Sequence, residues 1–172
     1  KKRKFAKRII HSTNQLELLH IDLADMGKAS RERNKYFVVV VDDCTKYTWT
    51  ITCKSKDETH LLVSNLIIQI QTFYDKKVKR IRADRGELKN AAFTDFCNLN
   101  GIKLELTTRK TPQSDGTAER NIQSIINGTR TLLMSAKNLN IYDWELALIH
   151  FTFIKNRIPA ISKGISSPYE EL

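Results

Sequence analysis

Three cysteines in 172 residues are too few, and too far apart, to build a metal centre from thiols. Cys44, Cys53 and Cys97 contain no CxxC pair, and His11, His20, His60 and His150 make no ligand-spaced pair with them. A structural zinc site and a disulfide framework are both excluded as organising devices, leaving each thiol as a small reduced core residue. No stretch of about 18 apolar residues occurs, so nothing in the sequence reads as a membrane span. Ser-His and Cys-His arrangements of the kind that activate a protein nucleophile are missing too. Internal repeats and low-complexity tracts are absent, apart from a basic run at the start.

What is present is positive charge, unevenly spread. The net charge is +10, and Lys1, Lys2, Arg3, Lys4, Lys7 and Arg8 supply six of those charges with no acid among them. A basic arm on a mildly basic body suits a polyanion, because each phosphate contact releases counterions. The same run also fits a solvated linker or a nuclear-import signal. Residues 1–14 are therefore read as a basic linker or tail and residues 15–172 as one domain, a size that supports a single well-buried core. The opening KKRKFAKR, with neither an initiator methionine nor an apolar leader, reads as the start of an excised fragment.

The order of elements is legible from periodicity. LLHID closes a strand spanning 16–23, with a turn at 24–27. Tyr36–Asp43 is a continuous β-branched run, the mark of a strand buried on both faces, and YTWTITC at 47–53 follows as a third strand. Leu61, Leu62, Leu66, Ile70 and Phe73 recur at helical spacing within 56–74. That helix leads back to VKRIRAD at 78–84, which would lie parallel to the first strand. A short helix at 91–99 stops at Asn100-Gly101, and a last strand spans 102–106. Ile122, Ile125, Ile126, Thr129, Leu132 and Leu133 stripe one further helix, and another spans about 142–156 before Pro159. The pattern βββ-α-β-α-β-α-α predicts an α/β domain with a mixed five-stranded sheet flanked by helices.

Three carboxylates stand at the ends of these elements: Asp22 after LLHI, Asp84 after VKRIRA, and Glu119 at the opening of the helix that follows TPQSDGTA. Burying carboxylates is costly, and hard oxygen ligands converging on divalent cations would offset that cost. Each Asp also has an ordinary explanation as a turn residue. Asp42, Asp43, Glu87 and Asp115 are read as turn, solvated or helix-dipole acids. Gln113, Ser114 and Gly116 fit either DNA contact or simple helix entry. Arg120 fits either a phosphate or a surface acid, and Trp49 and Trp144 fit either core or a subunit interface.

HID at 20–22, YFVVVVDDCTKYTW at 36–49, IRADRGEL at 81–88, TPQSDGTAER at 111–120, KNRIP at 155–159 and SSPYE at 166–170 occur in order. Together they resemble, over nearly the whole chain, the integrase catalytic core of copia-type LTR retrotransposons, within the retroviral integrase superfamily. The resemblance implies an RNase H-like fold and places a D,D-E triad on Asp22, Asp84 and Glu119. It implies two Mg²⁺ or Mn²⁺ ions per site, and a polynucleotidyl transferase that trims element DNA ends and joins them to target DNA. It further implies DNA as partner, a dimer or tetramer, and passage from a cytoplasmic virus-like particle to the nucleus. Gln113, Ser114, Gly116, Arg120 and Gln123, with Lys1, Lys2, Arg3 and Lys4, become candidate DNA contacts. An RNase H-type nuclease and a domesticated, non-catalytic nucleic-acid-binding module are the alternatives. Two departures stand out. DRGEL is one residue shorter than the family's usual DNGGEF, and Gln123 occupies a position that is usually basic.

Overall fold

Strand propensity is strongest where valines are contiguous, and the sheet grows around that run. In the computed structural model, which describes residues 12–84, 88, 90–107, 116–159 and 166–172 (side chains of 107 and 116–119 excepted), strand β2 (Tyr36–Asp42) lies between β1 (Leu18–Asp25) and β3 (Thr48–Cys53). Strands β4 (Arg80–Asp84) and β5 (Lys103–Thr107) extend the sheet on the other side, in the order β3-β2-β1-β4-β5. The first three strands are antiparallel neighbours, while β4 and β5 run parallel to β1. The expected mixed five-stranded sheet is thus the one that forms, and the fold is RNase H-like.

Parallel strands need crossovers, and two helices supply them on one face: α1 (Thr59–Tyr74) between β3 and β4, and α2 (Ala91–Leu99) between β4 and β5. Asn90 caps α2 by accepting from the Ala92 N–H, and Gly101, at φ +68°, makes the left-handed turn that ends it. The core on this face joins Leu19, Ile21, Val38, Val40 and Ile81 to Val63, Ile67, Phe93 and Cys97. The helix expected within 56–74 forms, but only part of its apolar stripe meets the sheet. Helix α1 buries Thr59, Val63, Ile67 and Ile70, whereas Leu61 and Phe73 face solvent. The helix is apolar nearly all round, so spacing alone cannot choose which stripe meets the sheet.

The opposite face carries α3 (Gly116–Ser135) and α4 (Trp144–Arg157), with a short α5 (Pro168–Glu171) against α4. Ile125, Trp144 and Leu148 close over Phe37, Val39, Val41 and Ala24. The two helices approach closely at Gly128, where a Cβ would overlap the Phe151 ring. Polar bonds fix α4 to β3. Asn156 accepts from the Thr48 N–H and donates back to the Thr48 carbonyl, and Thr50 pairs with Thr152. At its other end, Arg31 pairs with Asp143 and Ser30 with Glu145, tying the β1–β2 loop to the helix.

Lys155 reaches Thr48 Oγ1 at 3.0 Å, and burial pushes its ammonium down from 10.5 to about 8. Between those values the unfolded chain holds this proton more tightly than the folded one. Its contribution to stability therefore rises with pH across that window and is fully unfavourable below it. The stability of Lys155→Met relative to the parent should fall by about 2–3 kcal/mol between pH 7 and pH 10.5, measured by urea unfolding. The Cys97 thiol, raised by burial to about 11, titrates in both proteins and cancels in the difference.

Candidate functional site

The sheet register decides which acids meet. Strand β1 pairs with β2 as far as Asp25↔Tyr36, but its parallel pairing with β4 ends at Ile21↔Ala83. Asp22 and Asp84 occupy the next position on each strand. The two residues are therefore lateral neighbours in register at the point where β1 and β4 part. Asp22 does not end its strand as expected; β1 runs three residues further along β2.

Alternation fixes the direction of both side chains. Leu19, Ile21, Ile81 and Ala83 lie in the α1/α2 core, so Asp22 and Asp84 project from the opposite face, which α3 covers over β1 and β2. Both are partly exposed. Asp22 Oδ1 accepts the Leu23 N–H at 2.9 Å, which orients that carboxylate. Two hard oxygen donors side by side at the rim of a sheet fit a divalent cation and would repel each other without one. Residue 119 stands in the first turn of α3, one turn before Ile122, which packs on the sheet. Its side chain lies outside the described residues, as do Lys1, Lys2, Arg3, Lys4, Gln113 and Ser114. Among the described residues, no three His, Cys, Asp or Glu side chains cluster as a metal site.

Of the remaining candidates, Gly116 begins α3, Arg120 is exposed on it, and Gln123 is exposed with its amide donated to Asn127 Oδ1. Asp42 and Asp43 are the most buried acids described, and their work is structural. Asp42 accepts from the Leu16 N–H and from both the N–H and hydroxyl of Thr45. Asp43 accepts from the Ser12 N–H and the Lys46 ammonium. His20, two residues before Asp22, is buried with neither ring nitrogen in a hydrogen bond; its Nε2 stands 3.3 Å from Asp43 Oδ1 without the required geometry.

Sequence reasoning passed over one group on the same face. His20, Arg82 and Glu105 form the row beside the Asp22–Asp84 row, and Arg80 and Lys103 form the next. The signal was available as alternation in RIRAD, where Arg80, Arg82 and Asp84 interleave with Ile81 and Ala83. Such a strand buries one face only.

Comparison with known proteins bears on the fold and the family. The family model "Integrase core domain" matches residues 12–112, a span that contains Asp22 and Asp84 and stops before Glu119. The Retrovirus-related Pol polyprotein from transposon TNT 1-94 of Nicotiana tabacum is 31% identical over 157 residues, covering 90% of this chain and 12% of that protein. The corresponding polyprotein from transposon RE1 of Arabidopsis thaliana is 27% identical over 171 residues, 98% of this chain and 11% of that one. The chain thus spans roughly a tenth of the length of these relatives. Among solved structures, the catalytic core domain of BIV integrase aligns with a TM-score of 0.65 at 19% identity, covering 90% of this chain and 91% of that one. The HTLV-2 integrase catalytic core domain, solved in complex with magnesium, aligns at 0.67 and 16%, covering 90% and 95%. These two likenesses establish the fold, and the family match over more than half of the sequence establishes the kinship: the chain belongs to the integrase core domain family and is an integrase catalytic core of the retrotransposon and retroviral type.

Proposed function

We propose that this core performs divalent-metal-dependent 3′-end processing and strand transfer of element DNA into target DNA. Asp22, Asp84 and Glu119 are the metal ligands in this reading. The observation that carries it is the adjacency of Asp22 and Asp84 on one sheet face, where two parallel strands separate. Bound Mg²⁺ or Mn²⁺ would supply Lewis-acid activation of the attacking oxygen and charge stabilisation at the leaving 3′-oxygen. Asp22 and Asp84 hold their carboxylates on strands anchored by the sheet ladder, so little ordering is left for the moment of binding. Glu119 would be the third ligand, carried on α3, whose Ile122 and Ile126 pack against the same sheet. No protein nucleophile is required, consistent with the lack of one in the sequence. The reaction belongs in the nucleus, to which the basic residues Lys1, Lys2, Arg3 and Lys4 would direct the chain.

Two ends and two target strands call for two cores, and self-association is part of this proposal. Three apolar residues at helical spacing on α4, Trp144, Leu148 and Phe151, fit either an interface or the core, and the core claims them: Trp144 and Leu148 are fully buried on the inner side of the helix and Phe151 packs partly buried against the same cluster. Leu146, Ile149 and Phe153 form the exposed apolar side of that helix instead. Ile149→Asp should lower the association constant in sedimentation at micromolar concentration by about tenfold or more, with little change in melting temperature.

Calorimetric titration with Mn²⁺ tests the metal site without reference to turnover. The parent should bind, and gain about 2.7 kcal/mol of stability at a hundredfold excess over Kd. Asp22→Asn should abolish both signals; retention of both would remove Asp22 from the ligand set.

A further inference from the structure

Helices α3 and α4 cover β1, β2 and β3 on the active face, and the neighbouring strip of β4 and β5 bears charge where the covered strands bear valine. Arg80, Arg82 and Lys103 surround one carboxylate, Glu105. Arg82 donates to Glu105 Oε2 through Nε at 3.2 Å and Nη2 at 2.8 Å. Arg80 and Lys103 lie at longer ion-pair distances, 3.9 and 3.7 Å, from the other oxygen. Three cations on one anion leave a local surplus of positive charge. The surplus is also accessible, since the Lys103 side chain is 74% exposed and that of Arg80 31%.

Two strand positions separate Arg82 from Asp84 and four separate Arg80 from it, so the strip begins beside the candidate metal carboxylates and extends about 13 Å away from them. We propose that this β4–β5 strip is a phosphate-backbone track that holds a DNA strand leading into or out of the site. Arg82, only 17% exposed and clamped by Glu105, positions the strip, while Arg80 and Lys103 contact phosphate. Glu105 has two consequences: it fixes Arg82, and it offsets one charge that would otherwise face the DNA. A track of this kind reads no base and acts through charge alone. The proposal rests on the reading of this core as a DNA-processing enzyme.

The test measures binding of a short blunt-ended DNA duplex to the full chain in the presence of chelator, so that neither metal nor turnover enters. Arg80→Gln/Lys103→Gln should weaken binding by about tenfold or more and reduce the slope of log K against log salt by about 1.8, near 0.9 for each phosphate no longer neutralised. Lys54→Gln/Lys137→Gln removes the same charge from the opposite sheet edge and the far end of α3, and should change both quantities far less. Glu105→Gln should tighten binding, provided its melting curve shows a folded protein. Equal effects of the two double variants would overturn the track, as would weaker binding by folded Glu105→Gln, which would mark the cluster as a structural ion pair. Strand transfer by the parent chain with Mg²⁺, assayed separately, reports on the catalytic reading by itself.

Discussion

Asp84→Asn should reduce strand transfer by about 10³-fold or more while leaving the fold intact. Asp84 is the last residue of β4 and lies at the register position beside Asp22. An amide in its place keeps the shape and removes one anionic ligand. Loss of several kcal/mol of transition-state charge stabilisation corresponds to about a factor of 10³. Stability should move the other way. With no metal bound, two neighbouring carboxylates repel, and neutralising one relieves that repulsion. Melting temperature in chelator should stay level or rise, and the stabilisation by Mn²⁺ should disappear. Transfer near the parental level would show that another group serves as ligand. A fall in chelator melting temperature of many degrees would show that Asp84 is structural, as Asp42 is.

Trp144→Ala should be the most damaging single change to stability, costing about 3–5 kcal/mol. Trp144 is wholly buried, packs on Phe37 with ring centroids 6.3 Å apart, and donates its indole N–H to the Lys28 carbonyl at 3.1 Å. Truncation would empty that volume and remove the indole hydrogen bond that ties α4 to the β1–β2 loop. For a chain of this size the loss should appear as a drop of about 10 °C or more in melting temperature. Trp144→Phe should recover much of the packing but not the hydrogen bond. If Trp144 served instead at a subunit interface, Trp144→Ala would yield a stable, weakly associating protein. Sedimentation and thermal unfolding together separate the two outcomes.

The reach of sequence reasoning differed from element to element. Helix α2 was legible residue for residue, with Asn100-Gly101 as a strong stop signal, whereas the Asn90 cap at its start emerged only from the structure. Strand β2 was equally plain, since only a strand covered on both faces carries four successive valines. In α1 the element was found but its buried stripe was not, because apolar residues on most of its circumference leave spacing with no contrast to read. The turn expected at 24–27 was placed too early: Ala24 and Asp25 still pair with β2. Short α5, four residues opened by a Ser167 capping box, is too brief for periodicity to register.

By itself the sequence determined the order and type of the long elements, the two aspartates after apolar strands, and the resemblance that named the family. These are local or linear properties, carried by period, caps and motif. The sequence expectation that β4 lies parallel to β1 holds, but only the tertiary structure decided the order β3-β2-β1-β4-β5 and the register that makes Asp22 and Asp84 neighbours across 62 residues of chain. It alone also sent Trp144 into the core and gathered Arg80, Arg82, Lys103 and Glu105 on one strip of β4 and β5. The reason is the same in each case. Which strand pairs with which, and which side of a helix meets the sheet, follows from burying the most apolar surface over the whole chain, a sum that no single segment contains.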